Sequence, residues 1–166
     1  MKIRSITFSP PEPEIKIIKS VTIYISEKHS EIIVAPKSKE PNGGYNYEQD
    51  ICDIIDLKSS MEIIGKTVKR NFDKFNIKIK KAGMGNKSEW LAYKLSKEKS
   101  IRGFEENYKR ISIIGITDLN ISLKIETVLN LPSEIELTST ISAHCEPIDL
   151  GNRILRLFYS DIVKRK

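Results

Sequence analysis

Residues 15–26 (IKIIKSVTIYIS) and 31–35 (EIIVA) are runs of β-branched residues on either side of Glu27-Lys28-His29-Ser30. Two such runs joined by a short polar stretch predict a β-hairpin. Residues 36–50 (PKSKEPNGGYNYEQD) carry Pro36, Pro41, Asn42, Gly43 and Gly44 and read as a long turn-rich loop. Residues 51–57 (ICDIIDL) predict another short strand. Ser59 and Glu62 then have the spacing of a capping box, in which each side chain satisfies the other's free backbone N–H. Met61, Gly65, Val68, Phe72 and Phe75 follow at four- and three-residue intervals, the spacing of one apolar helical stripe.

The last third repeats this order. Residues 110–117 and 121–129 predict a hairpin across Asp118-Leu119-Asn120, and residues 134–142 (EIELTSTIS) alternate as a third strand. Pro147 suits the first position of a helix, where its missing N–H costs nothing. Ile148, Gly151, Ile154, Phe158 and Ile162 form its inward stripe. The two helices align with a shift of 86, Ile64-Gly65 falling on Leu150-Gly151, and the hairpins align with a shift of 90.

The fold expected is therefore α+β: antiparallel sheets with helices packed on one face, built as a two-fold internal repeat of strand-strand-strand-helix units. It forms a single domain over residues 1–166, with repeat-like halves at about 15–75 and 108–164. A basic helical segment, 76–107, joins them. A glycine on each inward stripe costs ~1 kcal/mol of helix propensity, which implies close approach of each helix to its sheet.

Composition narrows the function classes. With 39% hydrophobic and 30% charged residues the chain is an ordinary globular sequence, and no apolar run approaches the ~20 residues that cross a bilayer. The first residues, MKIRSITFSPPEPE, lack the apolar core of a secretory signal. Cys52 and Cys145 have no CxxC spacing and suit a reducing compartment, so a cytoplasmic protein with free thiols is expected. The net charge of +6 is uneven: residues 66–110 carry +9 and the flanks are mildly acidic. Such asymmetry creates a local field able to attract an acidic partner or a nucleic acid.

Candidate chemistry is sparse. Gly83-Met84-Gly85-Asn86-Lys87-Ser88 looks like a phosphate loop, but Asn86 stands where the pattern needs glycine before the lysine. Glu48, Asp50, Asp53 and Asp56 form an acidic series suited to a partner-facing patch, while as metal ligands they do not converge by spacing. Lys78, Lys80, Lys81 and Lys87, followed by Trp90 and Tyr93, place cations beside aromatics, as single-strand binders do. His29 reads as a polar turn residue. His144 and Cys145 precede a helix, where a thiol can be activated, but no third group orients them. Neither an enzyme nor a bound cofactor is expected.

The segment LSKEKSIRGFEENYKRISI, running through Lys99-Ser100, Phe104 and Tyr108 into a strand, resembles segments of bacterial contact-dependent growth inhibition immunity proteins. So do the helices opening with Ile64-Gly65 and Leu150-Gly151, and the likeness is nearest over residues 95–158. The resemblance implies a cytoplasmic, non-catalytic protein that binds and neutralises a cognate toxin domain, expected to be a nuclease. The acidic series Glu48, Asp50, Asp53 and Asp56 would suit a basic nuclease; the lysines Lys78, Lys80, Lys81 and Lys87 would suit an acidic toxin. The alternative is a small nucleic-acid-binding module using the central basic segment.

Overall fold

The computed structural model describes residues 18–41, 45–79, 86–127 and 135–160. The predicted hairpin is β1 (Ser20–Ser26) and β2 (Glu31–Lys39). Its turn closes with the Ser30 N–H donating to Glu27 O at 3.2 Å, and Ser30 sits in left-handed backbone with φ 53°. β2 runs past Pro36 into the stretch predicted as loop. Pro36 occupies the last register pair with β1, opposite Val21, so its missing N–H breaks no later rung of that ladder. Beyond it β2 takes β3 (Asn46–Glu48) and β5 (Asn76–Ile77) as new neighbours, β5 in parallel.

β4 (Asp53–Asp56) pairs with the start of β2. β6 (Lys109–Gly115), β7 (Asn120–Thr127) and β8 (Ile135–Ser142) form the predicted second group of strands. All belong to one eight-stranded sheet rather than two, because β1 and β6 pair antiparallel at its middle from Ser20–Ile114 to Ile25–Lys109.

Two long helices, α1 (Met61–Asp73) and α4 (Pro147–Phe158), share one face. They cover Ile23, Ile25, Ile32, Ile111, Ile113, Leu123 and Ile125, all 0% exposed. α1 begins one residue later than the expected capping box: Ser60, not Ser59, accepts from the Ile63 N–H at 3.3 Å, and Glu62 pairs with Lys66 instead. Most of each predicted stripe faces inward: Gly65, Val68 and Phe75 are buried and Phe72 packs against the core, as Gly151, Ile154 and Phe158 are buried on the α4 side. Met61 and Ile148 are exposed, while Ile64 and Leu150 are buried, and the polar Thr67 and Asn71 are buried beside them. Ile162 lies outside the described residues.

The two glycines meet helix on helix rather than helix on sheet. A Cβ at Gly65 would fall 1.7 Å from the Pro147 carbonyl oxygen, and one at Gly151 would fall 1.9 Å from that of Met61. Each glycine thus receives the first residue of the other helix.

The 76–107 segment holds β5, a 3₁₀ turn (Lys87–Glu89) and two short helices, α2 (Leu91–Leu95) and α3 (Ile101–Asn107). Ser100 caps α3 by accepting from the Gly103 N–H at 3.0 Å. Ala92, Phe104 and Tyr108 pack on Tyr24, Ile33 and Ala35, residues that alternate with the first core along β1 and β2 and so face the opposite side of the sheet.

Candidate functional site

The four carboxylates of the acidic series do not form one surface. Glu48 ends β3 opposite Lys37 and turns inward, where the Tyr24 hydroxyl donates to its Oε1. Its Oε2 is buried with no hydrogen-bond partner, as is the Thr22 hydroxyl oxygen. Burial pushes the Glu48 carboxyl above its ordinary value, against the opposing pull of the Tyr24 hydrogen bond, Lys37 and Arg110. Burial, and then the proximity of Glu48, push the Tyr24 phenol up as well.

Asp53, at the start of β4, is tied to α1. Its Oδ2 accepts from Asn71 Nδ2 and from Arg70 Nη2 at 2.9 Å, with Lys74 Nζ at 3.5 Å. Partial burial opposes ionisation, but the Asn71 and Arg70 hydrogen bonds and the Lys74 charge hold the Asp53 carboxyl below its ordinary range. Asp56 is exposed and accepts from the Lys58 N–H at 2.8 Å and the Ser30 hydroxyl at 3.1 Å, which lower it too. Asp50 is exposed in the bend between β3 and β4. The solvent-facing part of the predicted acidic surface is therefore Asp50 and Asp56.

Of the basic series, Lys78 is exposed beyond β5 and Lys87 pairs with Glu105. Lys80 and Lys81, with Gly83 to Gly85 of the phosphate-loop look-alike, lie outside the described residues. The two aromatics belong to the small second core. Trp90 and Tyr93 pack against it, and the Tyr93 ring meets Phe104 edge-on at 5.8 Å.

One member of each predicted surface comes to the same place. Asp50 and Lys78 both line a cavity of about 150 Å³ with Ser38, Tyr47, Gln49, Ile51, Asn76 and Ile79. Its walls are set by backbone capture: the Tyr47 hydroxyl donates to Lys78 O at 2.7 Å, and Gln49 Nε2 donates to Lys37 O and Lys74 O at 2.8 Å. Around it Ile51 is 44% and Ile79 77% exposed. A larger cavity, about 410 Å³, opens between α1, the β6–β7 turn and the start of α4. Its floor is apolar (Val68, Phe72, Ile113, Leu150), and Lys19, Lys69, Asp73, Asp118 and His144 stand around it.

Sequence reasoning missed the densest polar cluster. His29 is more than a turn residue: its Nε2 lies 2.6 Å from Glu98 Oε1, which also accepts from Lys28 Nζ and Asn107 Nδ2 at 2.9 Å. The His29 ring stacks on Tyr108 at 5.7 Å, and the Tyr108 hydroxyl donates to Glu31, which Lys97 approaches to 3.0 Å. The cluster fastens the β1–β2 turn to the α2–α3 loop. Hydrogen bonds from Lys28 and His29 hold the Glu98 carboxyl below its ordinary range. Its members are up to 80 positions apart, and no local spacing marks them.

Cys52 and Cys145 are free and half-buried. Burial, reinforced by Glu48 and Asp53, pushes the Cys52 thiol up to about 12, and burial also raises Cys145 beside the start of α4. A nucleophilic cysteine needs the opposite shift. Thiol titration is expected to find two fast-reacting groups in denatured protein and slow reaction of both in the native state. Fast native labelling of Cys145 would show it activated by the helix end after all. Among the described residues no three His, Cys, Asp or Glu side chains gather as a metal site, and no helix is long and apolar enough to cross a membrane.

No family model and no curated protein sequence matches the chain. Its fold has solved counterparts. A protein of unknown function from Neisseria meningitidis superposes with a TM-score of 0.59 at 13% identity, covering 89% of this chain and 94% of that one. A chain of the CdiA-CT/CdiI toxin and immunity complex from Yersinia pseudotuberculosis superposes with a TM-score of 0.57 at 12% identity, covering 82% and 93%. At these identities the likeness is one of fold, and it spans nearly the whole of both neighbours.

Proposed function

We propose that this protein is an immunity protein: it binds a cognate toxin domain of the contact-dependent growth inhibition type and neutralises it without chemistry of its own. The observation that carries this reading is the fold shared with a chain of the CdiA-CT/CdiI complex over 82% of the sequence. The resemblance of residues 95–158 to immunity-protein segments supports it independently. So do the raised thiols, which leave the His144-Cys145 pair ill suited to nucleophilic work.

Binding is the mechanism of protection, and charge on the exposed surface sets the rate of encounter more than the lifetime of the complex. Among the described residues, Asp50, Asp56, Lys78 and Lys87 are the members of the two predicted surfaces that stay in solvent. The test co-expresses the protein with the toxin domain encoded beside it. The unmodified chain is expected to be harmless alone, to restore growth and to co-purify with the toxin. Growth inhibition by this chain alone would reverse the assignment to the toxin side. Asp50→Lys with Asp56→Lys, compared with Lys78→Glu and Lys87→Glu, should show slower association in one pair only. Failure of the unmodified chain to bind or protect rejects the proposal. A salt-sensitive gel shift would then favour the nucleic-acid reading, because phosphate contacts weaken steeply with salt.

A further inference from the structure

Glu48 is a carboxyl group in a place that does not suit a charge. It closes the three-residue strand β3 against β2, 9% exposed, one oxygen taking the Tyr24 hydroxyl and the other taking nothing. The ionisable and polar groups that face it come from every neighbouring element. They are Tyr24 on β1, Lys37 on β2, Arg110 on β6 and Cys52 beyond β3. Arg110 stands opposite Tyr24 and is itself exposed, so its charge is spread into water.

We propose that the Tyr24–Glu48 pair is a proton-dependent clamp: Glu48 is held as the neutral acid in the folded protein, and its ionisation releases β3 from the end of β2. An ionised carboxylate here would accept one hydrogen bond, from a neutral hydroxyl, with its second oxygen dry, and the charges of Lys37 and Arg110 offset its burial only in part, whereas the neutral acid buries no net charge. The released element would be β3 and the bend after it. It carries Tyr47, Gln49 and Asp50, three of the eight residues around the 150 Å³ cavity, and it is joined to β2 by three register pairs and by the Gln49 hydrogen bonds to Pro36 O and Lys37 O. The direction of burial's effect on the carboxyl agrees with this geometry.

The sign of the pH dependence follows. A folded value above the ordinary 4.5 means that the folded state keeps a proton the opened state releases. The clamp is full below the ordinary value, weakens as pH rises through the interval and levels off above the folded value. Opening of β3 should increase about tenfold per pH unit within that interval.

The experiment is an NMR titration of the full chain, following the Glu48 side-chain carboxyl carbon together with amide protection at Tyr47 and, as reference, Ile113 in β6. The expected result is a Glu48 carboxyl that titrates above its ordinary 4.5, with Tyr47 protection falling across its titration while Ile113 protection holds. Glu48→Gln, if it folds, should keep Tyr47 protected across the same range. Titration of Glu48 in the ordinary carboxyl range overturns the proposal. So does a high titration point with Tyr47 protection unchanged, or with Tyr47 and Ile113 opening together.

Discussion

Gly65→Ala and Gly151→Ala are each expected to destabilise the protein by about 2 kcal/mol or more, lowering Tm by roughly 4–8 °C in a chain of this size. Alanine gains ~1 kcal/mol of helix propensity at either position, so the clash has to exceed that gain. It does, because the obstacles are backbone carbonyls at 1.7 and 1.9 Å, which no side-chain rotamer relieves. The helices would have to separate, loosening Ile64, Leu150 and Ile154 in the core beneath them. Gly115→Ala is the control, since its nearest neighbour is the Phe72 ring at 3.5 Å, an ordinary contact. The double variant should cost less than the sum, because both changes push apart the same pair of helices. Urea or thermal unfolding checks this. Parental stability in Gly65→Ala would mean that the helices are not in backbone contact.

The second large effect should come from Asn71, which is 0% exposed in the last turn of α1. Its Nδ2 donates to Thr67 O at 2.8 Å and to Asp53, and its Oδ1 accepts from Lys74 at 3.1 Å. Asn71→Ala leaves these groups short of partners and should cost about 1–3 kcal/mol. Part of that cost depends on pH. The Asp53 carboxyl lies below its ordinary 3.8 in the folded state, so its contribution is present above that value and is lost as pH falls through the lower, folded one. The stability gap between parent and Asn71→Ala should therefore be full at pH 6 and narrow below about pH 3.8. The remainder, from the Thr67 carbonyl, should persist. A gap that does not change with pH would remove Asp53 from the account.

Asn71 also shows how sequence reading fails. A search for an apolar stripe passes over a polar residue at the same spacing, although its amide can satisfy a carbonyl one turn back and a carboxylate on the neighbouring strand. The Ser59-Glu62 spacing misled for a related reason. Ser60 is equally able to cap, and it is Ser60 that accepts from the Ile63 N–H.

The candidate site was less legible than the fold. Glu48, Asp50, Asp53 and Asp56 look alike along the chain, yet β3 turns Glu48 inward while Arg70 and Lys74 draw Asp53 onto α1. Position in sequence carries no information about which carboxylate a distant helix will neutralise. The His29–Glu98 cluster was missed because its members come from a turn, a strand, a loop and a short helix with its end.

The periodicity of the chain by itself determined the α+β class, the hairpins β1–β2 and β6–β7, the strand β8 and the two long helices. These elements depend on alternation, β-branching and helical spacing over a few neighbours, interactions that are local and repeat along the sequence. Three things were decided only by tertiary structure: one sheet through β1–β6 pairing, the helix-on-helix contact of Gly65 and Gly151, and the fate of each charged side chain. Register between distant strands, the approach of two backbones and the choice of an ion-pair partner depend on groups that folding alone brings within a few ångströms.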